Sequence, residues 1–392
     1  MLRLQTPPRC RPTRGARTTP CSMRALLCIA ASTACSTCTD DPRASLEVQL
    51  RQLRARGYAT SRAELFSSPD PKEDNGAHLL LEAHRLEREL RTPVTDNLVH
   101  SIQADRVRTW TDEQWRSLSD IVEDLEPVVQ LLDQALSGPA FKVRTDALRT
   151  TTLVDVLALR ALLLGNRGDW KMAADSARDQ LALLACIDRR AEASFVARLQ
   201  IFHGFVRTVR ILAEAPALDV NTLMEAIGFQ LSEIEVMVTC DFTFELESYL
   251  VWTLESSTVT ERERHDRVRS ISGVLDVLER LTRDGKTSPL ASDFADVAMS
   301  PARDLALKLI ESHLDAVTES RLTRVGLAAL RRKRRSGQWP GDLEELAGEL
   351  GSSVLRDPRS GERVRLETLV KGIRIKTTAE SQGRDLVWEL VE

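Results

Sequence analysis

The spacing of apolar residues divides the chain into a long helical part and a short C-terminal part. From about residue 73 to residue 336, apolar residues recur at helical spacing with few interruptions. After Leu350, the stretches 363–366, 373–376 and 386–390 alternate apolar and polar residues, as half-buried strands do. We therefore expect a mainly α protein, an irregular α-helical array with a small C-terminal antiparallel β element.

Helix-start and helix-stop residues delimit three of the predicted helices. One lies between the cap at Thr111–Gln114 and the stop at Ser137–Pro139, and is expected to run toward Leu136 without a break. A second lies within 260–283, opened by Thr260. The last long helix is expected over 300–335, because Pro301 follows Ser300 at the position where proline suits a first helical turn.

The middle of the chain carries a recognisable hairpin pattern. Residues 153–164 are apolar on most faces, which predicts a buried central helix. The stretch Gly165–Ala174, followed by the apolar run 181–184, resembles one tetratricopeptide-like helix–turn–helix, with small residues where two helices would approach. No second copy follows at a period of about 34 residues, so a regular solenoid is not predicted.

Composition and charge narrow the class of protein. The chain has 392 residues, of which 42% are hydrophobic and 29% charged, as in folded globular proteins. Residues 1–39 contain six arginines and no acid, so the net charge of −4 leaves −10 on the remainder. An acidic body lacks the clustered cations that nucleic-acid binding requires, and no nucleic-acid partner is expected.

The N-terminus resembles a targeting segment. Residues 23–36 have a positive start, a short apolar stretch and small residues before Cys35, as in a bacterial lipoprotein signal. The resemblance implies lipidation at Cys35, an anchor that buries about 0.8 kcal/mol per methylene in a bilayer. The alternatives are a cleaved secretory signal and a cytosolic protein with a disordered N-terminal tail, and the sequence leaves open whether the true start is Met1 or Met23. We divide the chain into 1–40, a signal-like or disordered N-terminus; 41–336, an α-helical domain; and 337–392, a short helix plus a small β-sheet.

The sequence contains no complete phosphate-binding or metal-binding motif. Gly285-Lys286-Thr287 matches the end of a phosphate-binding loop, but Arg280 stands where the loop needs its first glycine. His78 and Glu82 lie four residues apart on one predicted helix face, which by itself is more typical of a surface contact than of a metal site. We predict no cofactor and no metal-binding residue.

The sequence also lacks a set of residues typical of nucleophilic catalysis. Cys186 and Cys240 lie in apolar helical segments without a neighbouring histidine, which favours two buried packing thiols. His203, His265 and His313 are isolated along predicted helices, and we expect structural roles with satisfied hydrogen bonds. No catalytic residue is predicted, and the sequence favours a non-enzymatic protein over an enzyme.

The basic run Arg331–Arg335 stands at the end of the last long helix. Cations at a helix C-terminus offset the helix dipole by about 0.3–1 kcal/mol each at most. This structural role is favoured over docking to phosphates or to an anionic membrane.

The C-terminal segment resembles the tail of type II secretion pseudopilins. It has a helix end and a Gly-x-Trp-Pro break at 334–340, Leu residues up to Leu346, a turn at Asp357-Pro358…Gly361, and Gly383–Trp388 leading into the last strand. The resemblance covers about 60 of 392 residues. It includes neither the long hydrophobic first helix of that family nor an acid-rich calcium loop, since 379–383 has one acid, so no metal site is implied.

The whole-chain pattern also resembles a group of uncharacterised, helix-rich bacterial envelope proteins with this tail, a group without an assigned activity. Our expectation is a non-enzymatic exported helical protein, lipid-anchored or periplasmic, that acts through protein–protein contacts. One alternative is a hydrolase or ligand-binding protein whose site lies between helices and leaves no motif. A second alternative is a cytosolic scaffold.

Overall fold

The helices and the C-terminal strands expected from the pattern are present. The computed structural model describes residues 42–65, 75–104, 107–138, 143, 150–187, 194–215, 220–283, 294, 303–378 and 386–391. Contacts divide the chain into two units, Met1–Ser45 and Leu46–Glu392, and apart from residues 42–45 the described part of the chain belongs to the second unit. The fold class is mainly α with a small three-stranded antiparallel sheet at the C-terminus.

Thirteen α-helices precede three strands in the described part of the chain. The helices are α1 Pro42–Ala55, α2 Arg62–Leu65, α3 Asn75–Leu90, α4 Pro93–Gln103, α5 Asp112–Asp124, α6 Glu126–Ser137, α7 Thr150–Asn166, α8 Trp170–Cys186, α9 Ser194–Glu214, α10 Val220–Glu255, α11 Glu261–Arg283, α12 Arg303–Ser336 and α13 Glu344–Leu350, with a 3₁₀ turn at Val107–Thr109. The strands are β1 Arg365–Leu369, β2 Gly372–Lys376 and β3 Val387–Val391.

The helix expected to run unbroken from Thr111 to Leu136 is two helices, and that prediction was wrong. The start is as expected: Thr111 Oγ1 accepts from Gln114 N at 3.3 Å, and Gln114 Oε1 accepts from Thr111 N at 2.9 Å. The helix then ends, and α6 starts beyond Leu125. The reason is Pro127, because proline has no N–H to donate and its ring clashes with the carbonyl four residues earlier.

The α7–α8 hairpin forms the middle of the array, as the tetratricopeptide-like pattern predicted. Helix α7 is buried on most of its faces, with Leu153, Leu157 and Leu159 fully buried. Asp169 caps α8 by accepting from Met172 N at 3.3 Å. Helix α8 packs against α7 and carries small side chains, of which Ala173, Ala174 and Ala177 are buried. Close helix approach at small side chains therefore builds this hairpin.

Two long helices, α10 and α12, pack against each other beside this hairpin. They have 36 and 34 residues, so each spans about 50 Å at about 1.5 Å per residue. The larger apolar core lies among α3 to α9, part of α12 and the sheet, and a smaller one surrounds Phe242, Leu275 and Leu314. In the described part of α12, the buried polar side chains are His313, Thr318, Ser320, Arg321 and Thr323.

The C-terminal sheet has the strand order β1-β2-β3, and both strand pairs are antiparallel. Trp388 on β3 is opposite Ile375 on β2, and its ring lies directly against α12 at Gly326. Trp388 Nε1 donates to Glu214 Oε1 at 3.1 Å. The first strand begins at Arg365, two residues later than predicted, because Val364 N instead bonds Leu355 O at 2.9 Å.

The predicted Asp-Pro turn before the sheet is organised by the buried carboxylate of Asp357. It accepts hydrogen bonds from Arg359 N at 2.9 Å and from Thr378 N at 3.1 Å. The hydroxyls of Ser360 and Thr378 also donate to it, at 3.3 and 3.2 Å. One side chain thus fixes the turn to the end of β2, and Gly361 N closes the turn on Asp357 O at 2.8 Å.

Candidate functional site

Several of the residues considered in the sequence lie outside the described ranges. These are Cys35 with the rest of the signal-like segment, the Gly285–Thr287 loop and the loop 379–383. Lipidation at Cys35 therefore stays a prediction. Among the described residues, no helix is long and apolar enough to cross a membrane.

The pair His78 and Glu82 does not form a metal site. Glu82 Oε1 accepts from Arg85 Nη2 at 2.6 Å, so its carboxylate belongs to an ion pair on the surface of α3. Across the described ranges, no group of three or more His, Cys, Asp or Glu side chains is placed to hold a metal ion.

The expectation of two buried thiols holds for one cysteine and is wrong for the other. Cys186 is buried at the end of α8, whereas Cys240 is exposed on α10. Val238, Asp241 and Phe242 are the buried residues of that turn. Because each residue advances about 100° around a helix, position 240 falls on the opposite, solvent side.

The three isolated histidines have three different environments. His203 Nδ1 bonds Glu319 Oε2 at 2.8 Å, and His265 Nδ1 lies 4.0 Å from Asp266 Oδ1. His313 contradicts the expected satisfied role, because it is fully buried and neither ring nitrogen has a hydrogen-bond partner among the described residues. Its ring stacks on Phe242 with centroids 5.0 Å apart. Burial, aided by the charge of Arg321, lowers the pKa of His313 to about 3.

The basic run at the end of α12 is bound by the chain itself. Arg331 and Arg332 form ion pairs with Glu349 and Glu345 of α13. Lys333 Nζ donates to Gly337 O at 2.9 Å, and Arg334 Nη2 donates to Ala215 O at 3.2 Å. The two ion pairs hold α13 against the end of α12, and Arg334 bonds the residue that follows α9, so most of the run has an architectural role.

A group of polar side chains meets where α9 faces α7 and α12. We call it the α9 polar group, and it consists of His203, Arg207 and Arg210 on α9, Asp155 on α7 and Glu319 on α12. The three α9 residues are spaced i, i+4 and i+7, so they share one helix face. All five are partly buried.

Close packing of the helices brings this group together. Helix α9 approaches α7 at Gly204, where an added β-carbon would lie 2.8 Å from Val154 Cγ1, one residue before Asp155. On the other side, Arg210 Nε donates to Thr323 Oγ1 at 3.0 Å, and its Nη2 donates to Glu319 O at 3.2 Å. Both neighbouring helices are therefore within reach of the α9 side chains.

The pKa values of the two carboxylates in the α9 polar group are shifted in opposite directions. Burial raises the pKa of Asp155 to about 6, although Arg91 and Arg207 pull it down. Burial also acts to raise the pKa of Glu319, but the hydrogen bond from His203 and the charges of His203, Arg210 and Arg207 outweigh it, and the pKa is lowered. Perturbed pKa values of this kind are typical of functional sites but also occur in structural ion-pair networks.

A second candidate is an aromatic surface at the end of α10. Tyr249 and Trp252 stack with ring centroids 5.6 Å apart and planes 17° apart. The guanidinium of Arg267, on α11, lies 5.5 Å from the Trp252 ring centroid and 6.0 Å from that of Tyr249. Trp252 is 50% exposed, a high value for the largest apolar side chain. We call these three residues the aromatic platform.

The turn between α10 and α11 holds the platform in place. Arg264 donates to the carbonyls of Thr253, Ser256 and Val259 at 3.2, 2.9 and 3.3 Å, which satisfies the end of α10. Thr260 and Glu263 form the predicted capping pair that starts α11, with Thr260 Oγ1 accepting from Glu263 N at 3.3 Å. Arg267 follows one turn later, so its position over the rings is fixed by the helix start.

A cleft between α8, α9 and α10 is the third place to consider. Phe195, Phe202 and Met237 contribute to its apolar wall, and the buried pair Arg198–Asp241 lies within it. The space left between these side chains is enough for about one water molecule. A metabolite would not fit without rearrangement of the helices, so the cleft is a packing feature around a buried ion pair.

Sequence reasoning singled out His203 but missed the rest of the α9 polar group and the aromatic platform. The polar spacing of His203, Arg207 and Arg210 on an otherwise apolar helix was a usable signal. Tyr249 and Trp252, three residues apart in a chain with few aromatic residues, were another. Comparison with protein-family models, curated proteins and solved structures finds no match to this chain.

Proposed function

We propose that this is a non-enzymatic, exported helical protein that binds another protein through the aromatic platform. The observation that carries the proposal is the half-exposed Trp252, stacked on Tyr249 under the guanidinium of Arg267. Trp, Tyr and Arg are the residue types that most often dominate the binding energy of protein interfaces.

The rigidity of the platform supports a binding role. Binding loses free energy whenever flexible side chains must be ordered, and a preformed surface avoids much of that loss. Here the rings support each other, and the Arg264 contacts fix the turn beneath them. The arrangement is therefore suited to receive a partner without reorganisation.

Replacement of Trp252 by serine is expected to reduce capture of the protein partner from native membranes and periplasm at least about tenfold, because hot-spot residues contribute about 2 kcal/mol or more. The measurement is affinity capture with quantitative mass spectrometry, with wild type and variant at equal amounts. Val94→Ser is the matched control, since Val94 on α4 is 48% exposed and outside the platform. It should capture the same partner as wild type.

Two results would contradict this function. One is capture at saturating amounts that recovers no partner with wild type. The other is a partner retained equally by Trp252→Ser and by Val94→Ser. Thermal unfolding of both variants verifies that the fold is kept, as expected for side chains about half exposed to solvent.

We further propose that Cys35 is lipidated and holds the protein at the cell envelope. The signal-like residues before Cys35 support this, as does the likeness of the tail to envelope pseudopilins. A Cys35→Ser variant should leave the membrane fraction and migrate differently on denaturing gels, because the acyl chains are lost. Unchanged fractionation and migration would argue against the anchor, and recovery of wild type in the cytosol would favour the scaffold alternative.

A further inference from the structure

Arg207 has no direct partner in the α9 polar group. The residue is partly buried, and its guanidinium makes no hydrogen bond or ion pair with any residue in the described part of the chain. It interacts with Asp155 and Glu319 only through attraction at longer range. An arginine carries five N–H donors, so a partly buried one without acceptors is a group with unused binding capacity.

The nearby carboxylates are committed to other groups. Glu319 Oε2 is bound to His203 Nδ1 at 2.8 Å. Asp155 Oδ2 is bound to Arg91 Nη2 at 3.5 Å, and Arg91 is itself held by Glu87 Oε1 at 2.7 Å. The acids therefore keep Arg207 in place through their charge without occupying its donors.

His203 adds a second group with unused binding capacity on the same face of α9. With Nδ1 on Glu319, the other ring nitrogen of His203, Nε2, makes no hydrogen bond with a described residue. His203 and Arg207 are one turn apart, a spacing that places β-carbons about 5–6 Å from each other. When the imidazole is protonated, the group has three cations, His203, Arg207 and Arg210, against two carboxylates, and one bound anion would neutralise it.

We propose that the α9 polar group is a binding site for a small oxyanion, a carboxylate or phosphate group, held by the guanidinium of Arg207 and, when the imidazole is protonated, by the Nε2–H of His203. The planar guanidinium fork fits either anion through two parallel hydrogen bonds. Partial burial between α7, α9 and α12 strengthens these bonds relative to an arginine in open solvent. This site is separate from the aromatic platform and does not depend on the protein-binding function.

The test is calorimetric titration of the full chain with sodium phosphate and, in a second series, with sodium acetate, at an ionic strength held constant with sodium chloride. Wild type is expected to give a saturable binding curve with at least one of the two anions, and the comparison of the two series identifies which oxyanion is preferred. Arg207→Gln should weaken that binding at least tenfold. Arg269→Gln is the control, because it removes the same charge from an exposed position on α11.

Heats that do not saturate for wild type with either anion would overturn the proposal, and so would an Arg207→Gln affinity equal to that of wild type. Should Arg207→Gln melt at a lower temperature than wild type, Arg207→Lys serves instead, since it keeps the charge near Asp155 and Glu319 but lacks the fork. Its affinity for the preferred anion should then fall, and an unchanged affinity would contradict binding through the guanidinium. Capture of a protein partner through Trp252 should be unaffected by either Arg207 variant.

Discussion

Replacement of Gly326 by alanine is expected to lower the free energy of unfolding by about 2 kcal/mol or more. The direction of the change in unfolding free energy is informative, because in an exposed helix interior the replacement of glycine by alanine stabilises by about 1 kcal/mol. At Gly326 an added β-carbon would overlap the ring of Trp388, which is only 3% exposed. The ring would have to move, and the sheet would move with it.

The cost follows from what holds Trp388. Its Nε1 donates to Glu214, the guanidinium of Arg210 lies 5.5 Å from its ring centroid, and its strand is paired with β2. Displacement of the ring therefore disturbs a hydrogen bond and a cation–π contact as well as apolar packing. Urea unfolding followed by circular dichroism gives the free energy for each variant.

Gly348 on α13 offers a matched control for this prediction. An added β-carbon there meets nothing within 4 Å, so Gly348→Ala should stabilise slightly through helix propensity. In a Trp388→Ala background, Gly326→Ala should lose most of its cost, because the clash is gone. If Gly326→Ala is as harmless as Gly348→Ala in the otherwise wild-type protein, the close contact between Trp388 and α12 is wrong.

Local chemistry was sufficient to predict most of the secondary structure. The cap residues Thr111 and Thr260 start α5 and α11 as expected, and alternation located all three strands to within about three residues. The missed break at Leu125 was also encoded locally, by Pro127. These features depend on neighbours in sequence, which is why a single sequence reveals them.

Contacts between distant segments could not be read in the same way. His203 and Glu319 are 116 residues apart, and Trp388 meets a glycine on another element. Each residue was visible in the sequence, but no periodicity indicates which helix faces which. The candidate site was therefore predicted only as far as His203 alone, and that residue was assigned a structural role.

Replacement of Arg198 by methionine should have the largest effect, a loss of about 3–5 kcal/mol in the free energy of unfolding. Arg198 Nε lies 2.6 Å from Asp241 Oδ2, and the two side chains are 5% and 7% exposed. Methionine fills a similar volume but leaves the Asp241 carboxylate buried without its guanidinium. Urea unfolding at neutral pH measures the change, which should appear as a lower midpoint.

Replacement of Arg198 also removes hydrogen bonds at the end of α8. Arg198 Nη1 donates to the carbonyls of Leu184 and Ile187, so one guanidinium joins α8, α9 and α10. Carbonyls at a helix end have no partner within the helix, and burial without one is unfavourable. For this reason the double variant Arg198→Met/Asp241→Leu should recover only part of the lost unfolding free energy. The part due to the isolated carboxylate is recovered, and the part due to the two carbonyls is not.

An exposed ion pair provides the comparison. Arg85→Met on α3 removes ion pairs with Glu82 and Glu89, whose side chains are 40% and 56% exposed, and the unfolding midpoint should hardly change. A midpoint for Arg198→Met as high as that for Arg85→Met would mean that water reaches Asp241 and solvates it. The cleft has room for about one water molecule, which is too little to replace a guanidinium that binds one carboxylate oxygen and two carbonyls. We therefore expect the full loss, and with it loosening of α9 between its two neighbours.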